Sequence, residues 1–338
     1  MKIARLLILI ALPIVAFGVP ALASVTVSSP ANYAELTSPF SLSAFAATCS
    51  SQTVGAMGYS LDNSTATTTV NGESIQASVA SPTGTHTLHV KAWGEQGASC
   101  VTDVGISVTT AAGAIAAGAV SVSSIQTLSN WNAINDSATG GSASGVMTLV
   151  NSPSMSGFAR DFVTTYSDYG GERYDVSFGD DTVSTNFFYD AWLYLQSPST
   201  SIANVEMDMN QVMPNGQTVI FGVQCDGWSG TWDYTANVGS PGQPVDTWLH
   251  SKAACNPRSW RTNTWHHVQI GYSRDGSGNV TYDSVWFDGA QTNINATVSS
   301  AFALGWSPTL LTNFQVDSYF AGSASSNVYL DDLTIYRW

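Results

Sequence analysis

An unbroken alternation of apolar and polar residues runs over positions 204–211 of the chain. The apolar positions are Val205, Met207 and Met209, and the polar positions between them are Glu206, Asp208 and Asn210. A strand places successive side chains on opposite faces, so this run predicts a strand with one face in a core and two carboxyls and an amide on the other. Only 10% of the residues are charged, so two acids on one short strand favour a functional groove. A solvated sheet face is the alternative, although it more often carries Thr, Ser or Lys.

The same alternation predicts four further strands in this half of the chain, over residues 187–195, 218–226, 265–272 and 282–288. If these strands share one sheet with residues 204–211, their polar and aromatic positions form one open face. The ligand-binding candidates on that face are Trp192, Tyr194, Glu206, Asp208, Asn210, Gln224, His267, Gln269 and Trp286. Aromatic rings offer flat apolar area to the C–H faces of sugars, and carboxylates and amides pair with vicinal hydroxyls. The expected ligand is therefore a polysaccharide or other glycan.

A loop rich in aromatic residues follows one of these strands directly, over residues 225–234. Trp228 and Trp232 lie in it beside Cys225, together with two glycines and a tyrosine. Both tryptophans are candidates for stacking against sugar rings. The alternative is that they pack on a disulfide and stiffen the loop.

The residues Glu206-Met207-Asp208-Met209-Asn210 resemble a motif of secreted glucanases of the laminarinase and lichenase type. Those enzymes carry Glu-x-Asp-x-(x)-Glu on a strand of a concanavalin A-like jelly roll. The resemblance implies that Glu206 is the nucleophile and Asp208 its helper, and that Asn210 stands at the position of the acid/base. An amide cannot cycle a proton, whereas a retaining glycosidase needs two carboxyl groups. The run Trp265-His266-His267-Val268 and the closing strand at residues 328–336 also resemble laminin G-like and concanavalin A-like domains.

Three function classes follow from these residues. The first is a secreted, lectin-like protein that binds a polysaccharide in a groove of the C-terminal domain. The second is a glycoside hydrolase or polysaccharide lyase with Glu206 and Asp208 as catalytic residues, whose acid or base comes from elsewhere, such as Asp190 or His267. The third is a structural or adhesive surface protein in which the groove has no ligand.

The first part of the chain, residues 24–109, predicts a separate sandwich. Short alternating runs separated by turn residues recur at the spacing of an all-β sandwich, and they include residues 40–45, 74–79, 87–93 and 101–108. The stretch from Gly84 to Trp93 resembles the penultimate strand of bacterial immunoglobulin-like modules, which implies an immunoglobulin-like domain. Residues 110–121 are small and uncharged and predict a linker. Residues 122–338 are long enough for a jelly roll, so the expected architecture is all-β, with an immunoglobulin-like sandwich before a concanavalin A-like jelly roll.

Residues 1–23 predict a secretory signal peptide. Lys2 and Arg5 precede an apolar run, and Ala21-Leu22-Ala23 forms a cleavage site, after which the protein is extracellular or periplasmic. Its removal makes the formal charge, −14 for the whole chain, two units more negative. Such an acidic surface repels phosphate backbones, which argues against a nucleic-acid partner. No later stretch is apolar enough to span a membrane, and the pattern does not define an oligomeric state.

The four cysteines predict two disulfides, because export places them in an oxidising compartment. Cys49 and Cys100 fall in the first unit, and Cys225 and Cys255 in the second, which favours one bridge in each. No cofactor is expected. A structural calcium ion at Asp180-Asp181 or Asp331-Asp332 is an alternative, although neither pair belongs to an evenly spaced series of oxygen ligands.

Overall fold

The computed structural model of the protein describes residues 25–82, 84–109, 115–240 and 242–338. The predicted signal peptide and residues 110–114 of the predicted linker lie outside these ranges. Within them the regular structure is strand apart from two short 3₁₀ helices, Ile125–Thr127 and Pro257–Ser259, which confirms the all-β class. No helix in the described ranges combines the length and the hydropathy needed to cross a membrane.

The strands before residue 110 form a sandwich of two sheets. They are β1 (Thr26–Ser29), β2 (Ala34–Thr37), β3 (Phe40–Phe45), β4 (Thr48–Cys49), β5 (Gln52–Leu61), β6 (Thr68–Asn71), β7 (Ser74–Val79), β8 (Gly84–Gly94) and β9 (Ser99–Thr109). One sheet has the order β1-β3-β7 and the other the order β2-β9-β8-β5-β4, with β6 paired to β5. Their inward residues form one core that includes Leu42, Ile75 and Leu88. The predicted Cys49–Cys100 disulfide is confirmed, with the two Cα atoms 5.8 Å apart.

The later strands form a second, larger sandwich. They are β10 (Val120–Val122), β11 (Asn132–Asp136), β12 (Ser142–Val150), β13 (Ala159–Ser167), β14 (Gly171–Gly179), β15 (Asn186–Leu195), β16 (Ile202–Val212), β17 (Thr218–Asp226), β18 (Thr231–Asn237), β19 (Asp246–Ala254), β20 (Trp265–Arg274), β21 (Asn279–Phe287), β22 (Ala290–Ser299), β23 (Ala301–Phe302), β24 (Thr309–Ser318) and β25 (Ala324–Arg337). Strand β10 begins at Val120 and pairs with β25, so residues 120 and 121 belong to the sandwich and not, as predicted, to a linker.

Two antiparallel sheets make up this sandwich. The β15 sheet has the order β12-β13-β25-β15-β20-β21-β22, and the β16 sheet has the order β11-β14-β24-β16-β17-β18-β19. Strand β10 pairs with β25 at the margin of the first, and β23 pairs with β17 in the second. Consecutive strands β15 and β16 therefore belong to opposite sheets, which decides where the polar side chains of each one point.

The core between the sheets follows the predicted alternation. Phe187, Tyr189 and Leu193 of β15 meet Met207 of β16 and Phe221 of β17 in one hydrophobic cluster. Each fully buried side chain of this size contributes roughly 1.5–3 kcal/mol to stability. The predicted Cys225–Cys255 disulfide is also confirmed, with Cα atoms 5.3 Å apart.

One predicted orientation is wrong. The alternation placed Tyr282 on the outward face of its strand, but it is fully buried in the core. The pairing of β21 with β20 shifts register at this point, because Tyr272 and Gly271 are adjacent on β20 but pair with Tyr282 and Ser284, so Asp283 is an extra residue on β21. Such a bulge reverses the parity of the strand on one side of it.

Candidate functional site

The predicted ligand-binding residues do not share one face. Glu206, Asp208, Asn210 and Gln224 lie on β16 and β17, whereas Trp192, Tyr194, His267, Gln269 and Trp286 lie on β15, β20 and β21. All of them point away from the core, but they belong to the two opposite sheets. Outward faces of a sandwich point in opposite directions, so the expectation of a single shared face is wrong. Asp190 and His267 also lie on the β15 sheet, so they are not placed to act as acid or base partners of Glu206.

The outward side of the β15 sheet is covered by the first sandwich near Ser38. The rings of Trp192 and His267 stack with centroids 4.2 Å apart, and the two side chains are only 1% and 2% exposed. His267 Nε2 lies 2.6 Å from Asp190 Oδ1, and Nδ1 lies 3.1 Å from the carbonyl oxygen of Ser38. The amide of Gln269 donates to the other oxygen of Asp190. These residues therefore form a contact between the two sandwiches.

The remaining aromatic candidates of the β15 sheet also have partners. Tyr194 is half-buried between Trp265 and Tyr329, with ring centroids 5.4 Å from each. Trp286 packs on Phe188 with a centroid distance of 5.4 Å. Trp232, from the aromatic loop, is 3% exposed and packs in the core beside Trp260. Each of these rings packs on other aromatic side chains; Trp232 is buried, whereas Tyr194 and Trp286 stay partly exposed.

The outward side of the β16 sheet carries an almost unbroken polar lining. In the register of the strands, Glu206 lies between Gln315 of β24 and Gln224 of β17, and Asp208 lies between Asn313 and Gly222. Although they point away from the core, Glu206 is 8% and Asp208 5% exposed, so the lining is sunk below its surroundings. We call it the recessed face and define it by Asp136, Arg173, Asp175, Asn204, Glu206, Asp208, Asn210, Gln224, Asp233, Asn313, Gln315 and Asp317.

Several of these residues were missed by the sequence reading. Arg173 and Asp175 of β14, Asp233 of β18, and Gln315 and Asp317 of β24 come from strands that it did not place beside residues 204–211. Their own stretches carry the same signal, since polar side chains alternate with Tyr174 on β14 and with Phe314 and Val316 on β24. Applying the alternation rule to β14 and β24 would have found them.

Glu206 and Asp208 form a pair of carboxyl groups in hydrogen-bond contact. Burial raises the pKa of Glu206 well above its usual value, and the neighbouring Asp208 raises it further. Burial also raises the pKa of Asp208, to about 7, despite its hydrogen bond with Glu206. Two carboxyl groups this close favour sharing one proton over holding two negative charges. Asp317, on the same face, likewise has a pKa raised to about 7 by burial.

The glycine at position 222 makes room for this pair. A Cβ atom on Gly222 would lie 2.7 Å from Asp208 Oδ1 and 2.8 Å from Thr235 Cγ2, closer than such atoms approach in proteins. The protein's own carboxylate and threonine therefore fill the space beside Gly222. Gly222 sets the position of Asp208.

Several polar atoms of the recessed face have no hydrogen-bond partner within the described part of the chain. They are Arg173 Nε, Asp175 Oδ1, Asn204 Oδ1, Asp208 Oδ1, and both Oδ1 and Nδ2 of Asn210. An unpaired buried polar group costs roughly 1–3 kcal/mol, and native proteins rarely keep several together. Asn210 is the extreme case, because it is 0% exposed and neither of its amide atoms is paired.

An aromatic cluster stands at the end of the recessed face where β17 and β24 finish. Trp228 is 55% exposed, and its ring centroid lies 4.2 Å from that of Tyr319. The guanidinium carbon of Arg258 lies over the Tyr319 ring, 3.6 Å from its centroid. The Trp228 backbone is fixed by a hydrogen bond from its N–H to Asp226 Oδ1. We call the set Tyr169, Trp228, Tyr319 and Phe320 the aromatic lip; among them Tyr169 and Phe320 are also exposed.

The groups that could hold a metal ion are already hydrogen-bonded. Ligand atoms of Asp226, Asp233 and His250 lie within 4.8 Å of one another. However, Asp233 accepts hydrogen bonds from Thr231 and from His250, whose Nδ1 lies 2.8 Å away, and Asp226 accepts from backbone N–H groups of its own turn. These bonds position the loop after β17 and the exposed imidazole at the β19 edge.

Two of the four aspartates considered for calcium, Asp181 and Asp331, hold neighbouring segments in place through an ion pair and hydrogen bonds. Asp181 Oδ2 lies 2.6 Å from Arg337 Nε, and its carboxylate accepts hydrogen bonds from residues 183 and 184. Asp331 is fully buried. Its donors are Gln126 Nε2, Ser154 Oγ, Ser156 Oγ and the backbone N–H groups of Met155, Ser156 and Asp332.

No protein-family model matches the chain, and no curated protein matches it. Among solved structures, it is similar to a carbohydrate-binding module of the β-sandwich superfamily, with 12% identity and a TM-score of 0.35, over 93% of this chain and 98% of the other. It is similar to the cellulose-induced protein Cip1, with 15% identity and a TM-score of 0.36, over 56% of this chain and 85% of the other. It is also similar to lectin II from Ulex europaeus, with 12% identity and a TM-score of 0.35, over 64% and 97%. The function is therefore argued from the residues of the site.

Proposed function

We propose that this is a secreted carbohydrate-binding protein and that a polysaccharide lies along the recessed face of the β16 sheet. The observation that carries the proposal is the concentration of carboxyl and amide side chains on one recessed face that points away from the core and ends at the exposed ring of Trp228. Each sugar hydroxyl both donates and accepts a hydrogen bond, so a row of hydroxyls can satisfy donors and acceptors together.

The aromatic lip supports the same function. Trp228 presents an exposed ring at the end of the polar face, and Tyr319 and Arg258 behind it hold the ring in a stack. A rigid aromatic surface beside convergent hydrogen-bonding groups is a common arrangement of ligand sites, because it combines apolar contact with orientation. The ligand-binding residues retained from the sequence reading are Glu206, Asp208, Asn210, Gln224 and Trp228.

A glycan array followed by titration of tryptophan fluorescence tests this proposal. We expect binding to at least one polysaccharide and a loss of at least about tenfold in affinity in Asp208→Ala, as for a central contact. Asp283→Ala is the matched control, because Asp283 is an exposed acid on the other sheet. The proposal fails if the array shows no binding, or if Asp208→Ala and Asp283→Ala bind equally well. A role in adhesion without a sugar ligand would then remain.

Glycoside cleavage is a second candidate, favoured by the contact between the carboxyl groups of Glu206 and Asp208. A protonated acid and an ionised partner are the two forms that glycosidases use. Asp190 and His267 cannot assist, since they lie on the other sheet, so any further acid would come from Asp233 or Asp317 of the recessed face. Release of reducing ends by the wild type, abolished in Glu206→Gln with binding retained, would establish catalysis over binding alone.

A further inference from the structure

We infer that the ligand of the recessed face is an electrically neutral polysaccharide and not a uronate-rich or sulfated one; this inference rests on the function proposed above. It follows from two independent features of the face. One is the kind of hydrogen-bonding atom that it leaves unpaired, and the other is the sign of its charge.

Two amide groups of the recessed face donate their N–H groups within the protein. The amide nitrogen of Gln315 donates to Asp136 and Asp317, at 3.0 and 3.1 Å. The amide nitrogen of Asn204 donates to Gln224 and Asp317, at 3.0 and 2.8 Å. Asp136, Asp317 and the Gln224 oxygen therefore take up the N–H groups of these two amides.

The unpaired atoms that remain are mainly acceptors. Within the described residues, Asp175, Asn204, Asp208 and Asn210 each leave a side-chain oxygen unpaired, whereas the unpaired donors of this face are Arg173 Nε and Asn210 Nδ2. A carboxylate or sulfate group accepts hydrogen bonds and donates none, so it would face these oxygens without satisfying them. A hydroxyl group donates to one such oxygen while it accepts from Arg173 or Asn210.

The charges on this face point the same way. Acids of the recessed face are Asp136, Asp175, Glu206, Asp208, Asp233 and Asp317, whereas its guanidinium group is that of Arg173. Negative groups gathered at a site repel an anionic polymer and lower its local concentration.

The test compares one polysaccharide backbone in two charge states. A neutral polysaccharide that binds in the array is oxidised at C6, which turns its hydroxymethyl groups into carboxylates without changing the linkage. We expect the oxidised form to bind at least about tenfold more weakly at low salt, because like charges brought together at an interface cost more than the free energy of a tenfold change. Added salt should narrow this difference by screening.

Two variants show whether the difference arises at this site. Asp208→Asn keeps the shape of the side chain and removes a negative charge, so we expect it to reduce the discrimination between the two forms. Asp283→Asn, on the other sheet, is the control and should leave it unchanged. Thermal unfolding of both variants shows that each is folded before binding is compared.

The outcomes separate this inference from the proposed function. Equal or tighter binding of the oxidised form, abolished in Arg173→Gln, would overturn the inference and leave carbohydrate binding intact. Tighter binding of a C2-amine form of the same backbone than of the neutral form would also overturn it, in favour of a cationic glycan. Absence of binding to any form would overturn the proposed function and the inference with it.

Discussion

The indole of Trp192 and the imidazole of His267 are stacked, with ring centroids 4.2 Å apart and planes only 5° from parallel. Both side chains point away from the core of their own sandwich, yet both are almost fully buried. His267 faces the Asp190 carboxylate through Nε2 and the Ser38 carbonyl through Nδ1. The cationic imidazole donates from both nitrogens, so it satisfies both contacts across the boundary between the sandwiches.

This contact makes the charge of His267 dependent on Asp190. Burial lowers the pKa of His267, but the Asp190 carboxylate and then the Ser38 carbonyl outweigh burial and raise it above its usual value. We expect Asp190→Asn to lower the pKa of His267, because burial then acts with less opposition. An NMR titration of the His267 ring protons measures this. Asp103→Asn, whose carboxylate contacts His89 in the first sandwich, is the control. An unchanged pKa in Asp190→Asn would contradict the assignment.

Apart from Tyr282, the sequence predicted which residues of these strands face the core, but not which strands share a sheet. Alternation along β15 and β16 placed Phe187 and Met207 correctly, because a period of two is a local property of the chain. Sheet membership depends on pairing with distant strands: β15 pairs with β20 and β25, and β16 with β17 and β24. For this reason Glu206 and Gln224 could be joined correctly from the sequence, whereas Trp192 and His267 were added to the wrong face.

The raised pKa of Asp208 makes stability depend on pH. The pKa of Asp208 is about 7 in the folded protein, above its usual value of 3.8. Between these two pH values the folded protein keeps the Asp208 proton, whereas the unfolded chain has released it. The contribution of Asp208 to the free energy of unfolding is therefore most favourable below about pH 4, and it is lost as the pH rises toward 7. The difference amounts to a few kcal/mol in order of magnitude, and Glu206 adds to it in the same direction.

We accordingly expect the melting temperature of the wild type to fall between pH 5 and pH 8. The melting temperature of Asp208→Asn should fall less over the same range. At pH 8 this variant should be more stable than the wild type, because the substitution removes a charge from a buried pair. Thermal unfolding followed by circular dichroism at several pH values measures both. Asp180→Asn, at an exposed acid outside the strands, controls for net charge. A slope that is identical in the wild type and in Asp208→Asn would rule out Asp208 as its source.

Substitution of Asn210 should have opposite effects on the stability of the protein and on glycan binding. Its amide is fully buried with neither atom paired, so it costs free energy in the absence of a ligand. Asn210→Leu has a similar volume and no polar atoms, and we expect it to raise stability by about 1 kcal/mol or more while it weakens glycan binding. Chemical denaturation and fluorescence titration of one preparation measure the two quantities. Lower stability together with unchanged binding would show that Asn210 serves the fold and not a ligand.

Trp228 is the side chain through which the aromatic lip should contribute to affinity. It is 55% exposed, and truncation to alanine leaves the core unchanged, so we expect Trp228→Ala to keep the melting temperature within about a degree or two of the wild type. Loss of an exposed aromatic surface worth about 1–2 kcal/mol should weaken polysaccharide binding by roughly 5- to 30-fold. Phe45→Ala is the matched control, because Phe45 is 47% exposed on the first sandwich.

The stack behind Trp228 provides a second arm of the same experiment. Tyr319 lies between the indole and the Arg258 guanidinium, so Tyr319→Leu should leave Trp228 in place but free to change its orientation. Binding should then weaken by less than in Trp228→Ala, and the double variant should be no weaker than Trp228→Ala alone, since both substitutions act on one ring. Additive losses would mean that Tyr319 contacts the ligand by itself. If Trp228→Ala and Phe45→Ala bind alike, the lip lies outside the site, and the polysaccharide is held by the polar floor around Asp208 alone.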